Sequence, residues 1–116
     1  MRMWMVPPQT MCRQHLLGEH VELHMFVGTI KKGRGIDGFL EQRILEPFAI
    51  KQRHDALVAE MTRRGYNHRS PLCAPLLPAK LKSVTVDSEA SLTELLRRCP
   101  ECLALHFKME ANYECV

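Results

Sequence analysis

No stretch of the 116-residue chain approaches the roughly 20 consecutive apolar residues that a membrane-spanning helix needs. A secretory leader is not expected either. The segment MRMWMVPP is apolar apart from Arg2, but it is short, Pro7 and Pro8 interrupt it, and no small-residue cleavage site follows. Internal repeats and a sustained heptad seam are also missing, so one domain over residues 1–116 and a monomer are expected. Charge of one sign is scarce: the formal net charge is +3 and the pI about 8.7, a mildly basic balance that permits nucleic-acid binding without requiring it. Five cysteines, an odd number with no leader, point to reduced thiols inside a cell, in the cytoplasm. Hydrophobic content of 46% and charged content of 25% are those of an ordinary globular domain with a real core.

What is present reads as all-α, with about three main helices and an extended N-terminal arm crossing between them. The first helix is expected from about Thr10 to about Lys32, behind Pro7 and Pro8 and ahead of Gly33. A second begins near Pro47, keeps Ile50, Leu57 and Met61 on one side, and stops at Gly65, a residue suited to closing a helix in left-handed geometry. SPLCAPLLP is too rich in proline to be regular, and its apolar side chains suggest a packed crossing segment. The third helix follows a cap at Asp87 or Ser88 and ends before Pro100, with KSVTV ahead of it as a short extended piece.

Helical spacing puts His15, Glu19, Glu22 and Phe26, at i, i+4, i+7 and i+11, on one narrow stripe of the first helix. Two acids and an imidazole on a face that should be apolar need partners, a ligand or a proton to transfer, because low dielectric raises the energy of their charged forms. The chain start supplies a second reactive group. Arg2 is too large for efficient removal of the preceding methionine, so Met1 is expected to keep its α-amine. An unperturbed α-amine titrates at about 7.7 to 8.0, far below a lysine, and attacks carbonyl-like carbons without special activation. Glu22 is the carboxylate best placed to move protons for that attack. Gly18, beside the same face, would let the arm approach closely.

The segments QHLLGEHVELHMFVGTIKK, RHDALVAEMTRRGYN and EASLTELLRR, in that order, resemble the pyrimidine-dimer DNA glycosylases of the endonuclease V type. The arginine after the nucleophile and the distance from the N-terminus to the first-helix glutamate agree with that family. The resemblance implies a glycosylase with an associated abasic-site lyase, acting on double-stranded DNA that carries a UV-induced cyclobutane pyrimidine dimer. The terminal amine would attack the anomeric carbon of the dimer's 5′ nucleotide, hold the sugar as a Schiff base, and cut the strand by β-elimination. Carried onto matching positions, Met1 is the nucleophile, Glu22 the acid/base group, and Arg2, Gln14 and His15 contact sugar and phosphate, with Arg98 as a phosphate-binding arginine. The chemistry calls for no cofactor and no metal.

Three departures bear on specificity. Family members commonly start with threonine, where this chain has Met1. Val21 and Met25 stand where better-known members carry arginine, and HFKMEANYECV lacks their dense aromatic and basic tail. Other basic residues are available for phosphates: Lys31, Lys32 and Arg34 around the glycines of KKGRGIDG, and Lys51, Arg53, Arg63 and Arg64 on the second helix.

Cysteine and histidine support two further readings. Cys99 and Cys102 form CPEC, which follows a helix where a redox motif needs a βα context. As one pair it falls short of the four ligands of a zinc site, leaving Cys73, Cys115 and histidines to supply the rest. His20 and His24 stand at i and i+4, but Glu22 is misplaced for a metalloprotease motif. A noncatalytic DNA-binding module and a small helical Cys/His metal protein therefore stand as alternatives to the repair enzyme.

Overall fold

The structure is a computed structural model that describes residues 1–114, with side chains to residue 111. Its order is a 3-10 turn at Pro8–Thr10, α1 at Arg13–Lys31, α2 at Asp37–Glu41, a 3-10 turn at Pro47–Ala49, α3 at Ile50–Arg63, a 3-10 turn at Ala79–Ser83, α4 at Ser88–Arg98 and α5 at Pro100–Glu114. The fold is all-α as expected, but the described residues form five helices where the sequence pattern gives three. The short α2 carries no long apolar period. Helix α5 hides behind Pro100, which ends α4 and then serves as the first residue of a new helix, where its missing N–H costs nothing.

The expected punctuation holds at the long helices. Gly33 and Gly65 adopt φ of +70° and +86°, and the amides just past each helix turn back to its last carbonyls, Arg34 to Thr29 at 3.1 Å and Tyr66 to Met61 at 2.8 Å. Asp87 caps α4, its carboxylate accepting from the Ala90 amide at 3.1 Å. Two local readings are corrected. Of KSVTV, Lys82 and Ser83 belong to the helical turn Ala79–Ser83, and only from Val84 onward, with Val84 in extended geometry, does the chain leave it. In SPLCAPLLP, Leu72 is buried but Cys73 is exposed and Leu76 is 98% exposed, so most of the segment runs over the surface instead of through the core.

The arm does cross between helices. Met3, Trp4 and Val6 are buried with Leu16, Leu23 and Phe26 of α1, Ile50 and Leu57 of α3, Leu95 of α4 and Cys102 of α5. Each such side chain contributes about 1.5–3 kcal/mol by leaving water. Polar ties fix its course: the Met3 amide donates to the Ile44 carbonyl at 2.7 Å, and Arg53 of α3 donates to the Val6 carbonyl at 2.7 Å. Arg64 reaches the carbonyls of Pro8 and Met11, at 3.1 and 2.7 Å. Helix α5 packs against the Pro8–Thr10 turn, so the two ends of the described chain meet.

Candidate active site

Where the arm passes α1, a cavity of about 230 Å³ opens, lined by Met1, Arg2, Trp4, Gln14, His15, Gly18, Glu19, Glu22 and Arg98. Of the residues singled out in the sequence, Met1, Arg2, Gln14, His15, Glu22 and Arg98 converge here from three separate parts of the chain. The Arg2 amide donates to Glu22 Oε2 at 3.3 Å, which sets the carboxylate one peptide unit from the Met1 amine. The stripe on α1 brings Glu22 and His15 to the arm, while Phe26, its apolar member, is fully buried below them.

Glu19 shares that stripe but has a different task. It is 1% exposed and takes two hydrogen bonds from Arg53, Nε to Oε2 at 2.6 Å and Nη2 to Oε1 at 2.8 Å. A buried carboxylate held by a two-pronged guanidinium is committed to its partner. One acid of the pair is thus structural, and the other, Glu22, has no guanidinium partner among the described residues. Arg53 is correspondingly lost as a phosphate contact. So is Arg64, spent on Glu60 at 2.7 Å and on the arm, whereas Arg63 pairs with Glu60 but stays exposed. Lys51 pairs with Asp55 at 2.9 Å.

Trp4 was not foreseen as a site residue. Its ring is 3% exposed, with the Arg2 guanidinium 3.9 Å from its centroid, that of Arg98 at 5.3 Å, and His15 edge-on at 5.8 Å. The indole holds two like charges together by offering its negative face to both. Burial, and then the neighbouring Arg98, lower the Arg2 pKa below its ordinary value. Arg2 Nη2 donates to Ser91 Oγ at 3.2 Å, while its Nε is buried with no partner among the described residues, a donor open to a ligand oxygen. Arg98 shares Glu94 with Arg97; hydrogen bonds from Arg97 and then Arg98 hold the Glu94 carboxyl down to about 2. Being an isolated tryptophan in an apolar run, Trp4 gave no signal beyond core packing.

Gly18 does not act as expected. A Cβ there would meet nothing within 4 Å, so the arm does not need its absence. Lys31 and Lys32 stand away from the cavity at the exposed end of α1; Lys32 shares a second hollow with Met1, Met25 and Arg34, and Lys31 a third with His24, Leu72 and Cys73. Val21 and Met25, 55% and 50% exposed, leave an apolar surface on α1 where arginines were absent from the pattern.

Residues 1–73 match the protein family described as pyrimidine dimer DNA glycosylase. The chain belongs to this family. No curated protein and no solved structure matches it. The matched stretch contains the arm and all of α1 and α3, hence Met1, Arg2, Trp4, Gln14, His15 and Glu22. Arg98 lies beyond it, and the fold alone brings that arginine to the cavity. Membership in this glycosylase family makes damaged DNA the substrate class and DNA repair the setting. No helix among the described residues is long and apolar enough to cross a membrane.

Among the described residues, two groups of side chains have the donors to hold a metal: Cys12, His15, Cys99 and Cys102, and His20, His54 and His68, the donor atoms within each group lying within 4.8 Å of one another. CPEC joins α4 to α5, and the donors beside it are Cys12 and a histidine, His15, with the exposed Cys73 not among them; Cys115 lies outside the described residues. Burial, followed by the charges of His54, His24 and His68, pushes the His20 imidazole from 6.5 down to about 4.

Proposed function

We propose that this glycosylase cuts DNA at cyclobutane pyrimidine dimers through an imine on the α-amine of Met1, with Glu22 as proton carrier. The observation that carries the reading is the 3.3 Å contact between the Arg2 amide and Glu22, which brings a carboxylate beside the first residue at the mouth of a cationic cavity. In the first step the amine nitrogen bonds to C1′ of the 5′ nucleotide, and the C1′–N bond to the base breaks with its electron pair. A proton reaches O4′ as the sugar ring opens, giving a protonated imine. Glu22 then removes a proton from C2′. The electrons pass through the imine system, and the bond from C3′ to its phosphate oxygen breaks. Water hydrolyses the remaining imine and frees the amine.

The other cavity groups fit binding and orientation. Arg2 and Arg98 supply positive charge for backbone phosphates, the spare Arg2 Nε a donor, and Gln14 and His15 polar contacts to the sugar. A dimer is poorly stacked, which lowers the cost of opening the duplex toward such a site. Lys31 and Lys32 extend the cationic track along the duplex. The exposed Val21 and Met25 suit a grip on the lesion that leans less on charge. The chain acts as one domain and as a monomer, in the cytoplasm, on its DNA.

Borohydride trapping tests the proposal. The untagged protein is incubated with irradiated, abasic and intact duplexes and reduced. Covalent protein–DNA adducts on irradiated DNA and on abasic DNA, with none on intact DNA, are expected. Trapping confined to the abasic duplex would remove the dimer glycosylase step, and no trapping on any duplex would overturn the amine mechanism.

A further inference from the structure

The first turn of α1 and the joint between α4 and α5 each present two donors spaced by two residues, Cys12 with His15 and Cys99 with Cys102. The fold sets them face to face across nearly the whole chain. Cys12 Sγ lies 3.8 Å from Cys99 Sγ and 3.2 Å from His15 Nδ1, and Cys102 Sγ lies 3.7 Å from that same nitrogen. Ligands at about 2.3 Å for sulfur and about 2.0–2.1 Å for nitrogen on a tetrahedral ion stand about 3.8 Å apart when both are sulfur, and about 3.6 Å when one is nitrogen. Two of the three distances meet those edges, and the third needs only a few tenths of an ångström of side-chain rotation. A disulfide, by contrast, requires sulfurs at about 2.05 Å.

We propose that Cys12, His15, Cys99 and Cys102 bind one zinc ion as a closed, structural site. Three thiolates and one imidazole are a soft donor set of the kind that selects zinc over the harder divalent ions, and four protein ligands leave no position for substrate. Binding converts three thiols to thiolates and releases three protons, while His15 coordinates through neutral Nδ1. The surroundings suit thiolates: the Cys12 amide donates to Cys102 Sγ at 3.2 Å and the Cys102 amide to Cys99 Sγ at 3.4 Å. Cys12, Cys99 and Cys102 are all buried, at 4%, 8% and 0% exposure, so the ion would be shielded from water and from competing ligands. Simple packing of small apolar thiols accounts for their burial but not for an imidazole nitrogen held against two of the sulfurs.

The site has a consequence for the cavity next to it. His15 is both a ligand and a cavity wall, packed edge-on to Trp4. Metal at Nδ1 fixes its ring and leaves Nε2 as its one polar atom for DNA. Zinc therefore ties α5 and the end of α4 to the start of α1 and, through His15, braces the cavity.

Metal analysis of the full-length protein, purified under reducing, anaerobic conditions, tests the site. One zinc per chain is expected, and cobalt exchanged into it should give intense thiolate-to-cobalt bands in the near ultraviolet and the visible spectrum of a tetrahedral ion. Cys99→Ser and Cys102→Ser should lose the ion and those bands, whereas Cys73→Ser keeps both. Where the serine variants fail to fold, the cobalt spectrum of the unaltered chain decides. Folded protein that takes up neither metal, or cobalt bound without thiolate bands, as the histidine group would give, overturns the proposal.

Discussion

Glu22→Gln separates chemistry from binding more cleanly than any other single change in the cavity. Glutamine keeps the shape of the side chain and still offers an oxygen to the Arg2 amide, now 3.3 Å from Oε2. The contact falls from charge-assisted to neutral, a loss of about 1 kcal/mol or less. In a domain of this size that lowers the melting midpoint by less than about 8 °C. Losing the proton carrier is a far larger effect: general acid/base catalysis supplies about 10²–10⁴-fold, or about 2.7–5.4 kcal/mol of barrier. Single-turnover nicking of irradiated supercoiled plasmid should therefore fall at least ~100-fold, while gel-shift affinity for a dimer-containing duplex stays within about threefold. Nicking that survives within about tenfold, or binding and nicking that fall together, would refute the assignment.

Three other outcomes are expected. Glu19→Ala strands Arg53 in the core and loosens its hold on the arm, so urea unfolding should show a loss of about 3–5 kcal/mol, largely recovered by pairing Glu19→Leu with Arg53→Met. Acid should weaken the fold early: His20, against His24, His54 and His68 with Asp55 beside them, is held down to about 4 by burial first. Its unfolded form takes up a proton near 6.5, so stability is full above that pH and declines as pH falls from about 6.5 toward 4, which thermal melts across the range would show. Replacing both Lys31 and Lys32 with alanine should weaken binding to damaged and intact duplexes alike and lower the slope of log affinity against log salt by up to about 2, read by fluorescence anisotropy. An unchanged slope removes both lysines from the interface.

Local chemistry determined much of this protein from the sequence alone. Prolines, Gly33, Gly65 and Asp87 mark helix ends because their φ limits and side-chain acceptors act within a few residues. A period of 3.6 put His15 and Glu22 on one face of α1, and the matching segments gave the family. The tertiary structure decided what depends on contacts distant in sequence. Glu19 and Glu22 look equivalent along the helix, and only Arg53, 34 positions away, takes the first for structure and leaves the second without a guanidinium partner among the described residues. Trp4 becomes a platform for two guanidiniums only when α4 brings Arg98 to it. Cys12 and His15 meet Cys99 and Cys102 only when α5 folds back on the arm, since pairing across some 90 residues leaves no periodic trace in the chain. Spacing fixes which neighbours share a face; burial and distant partners fix what that face is for.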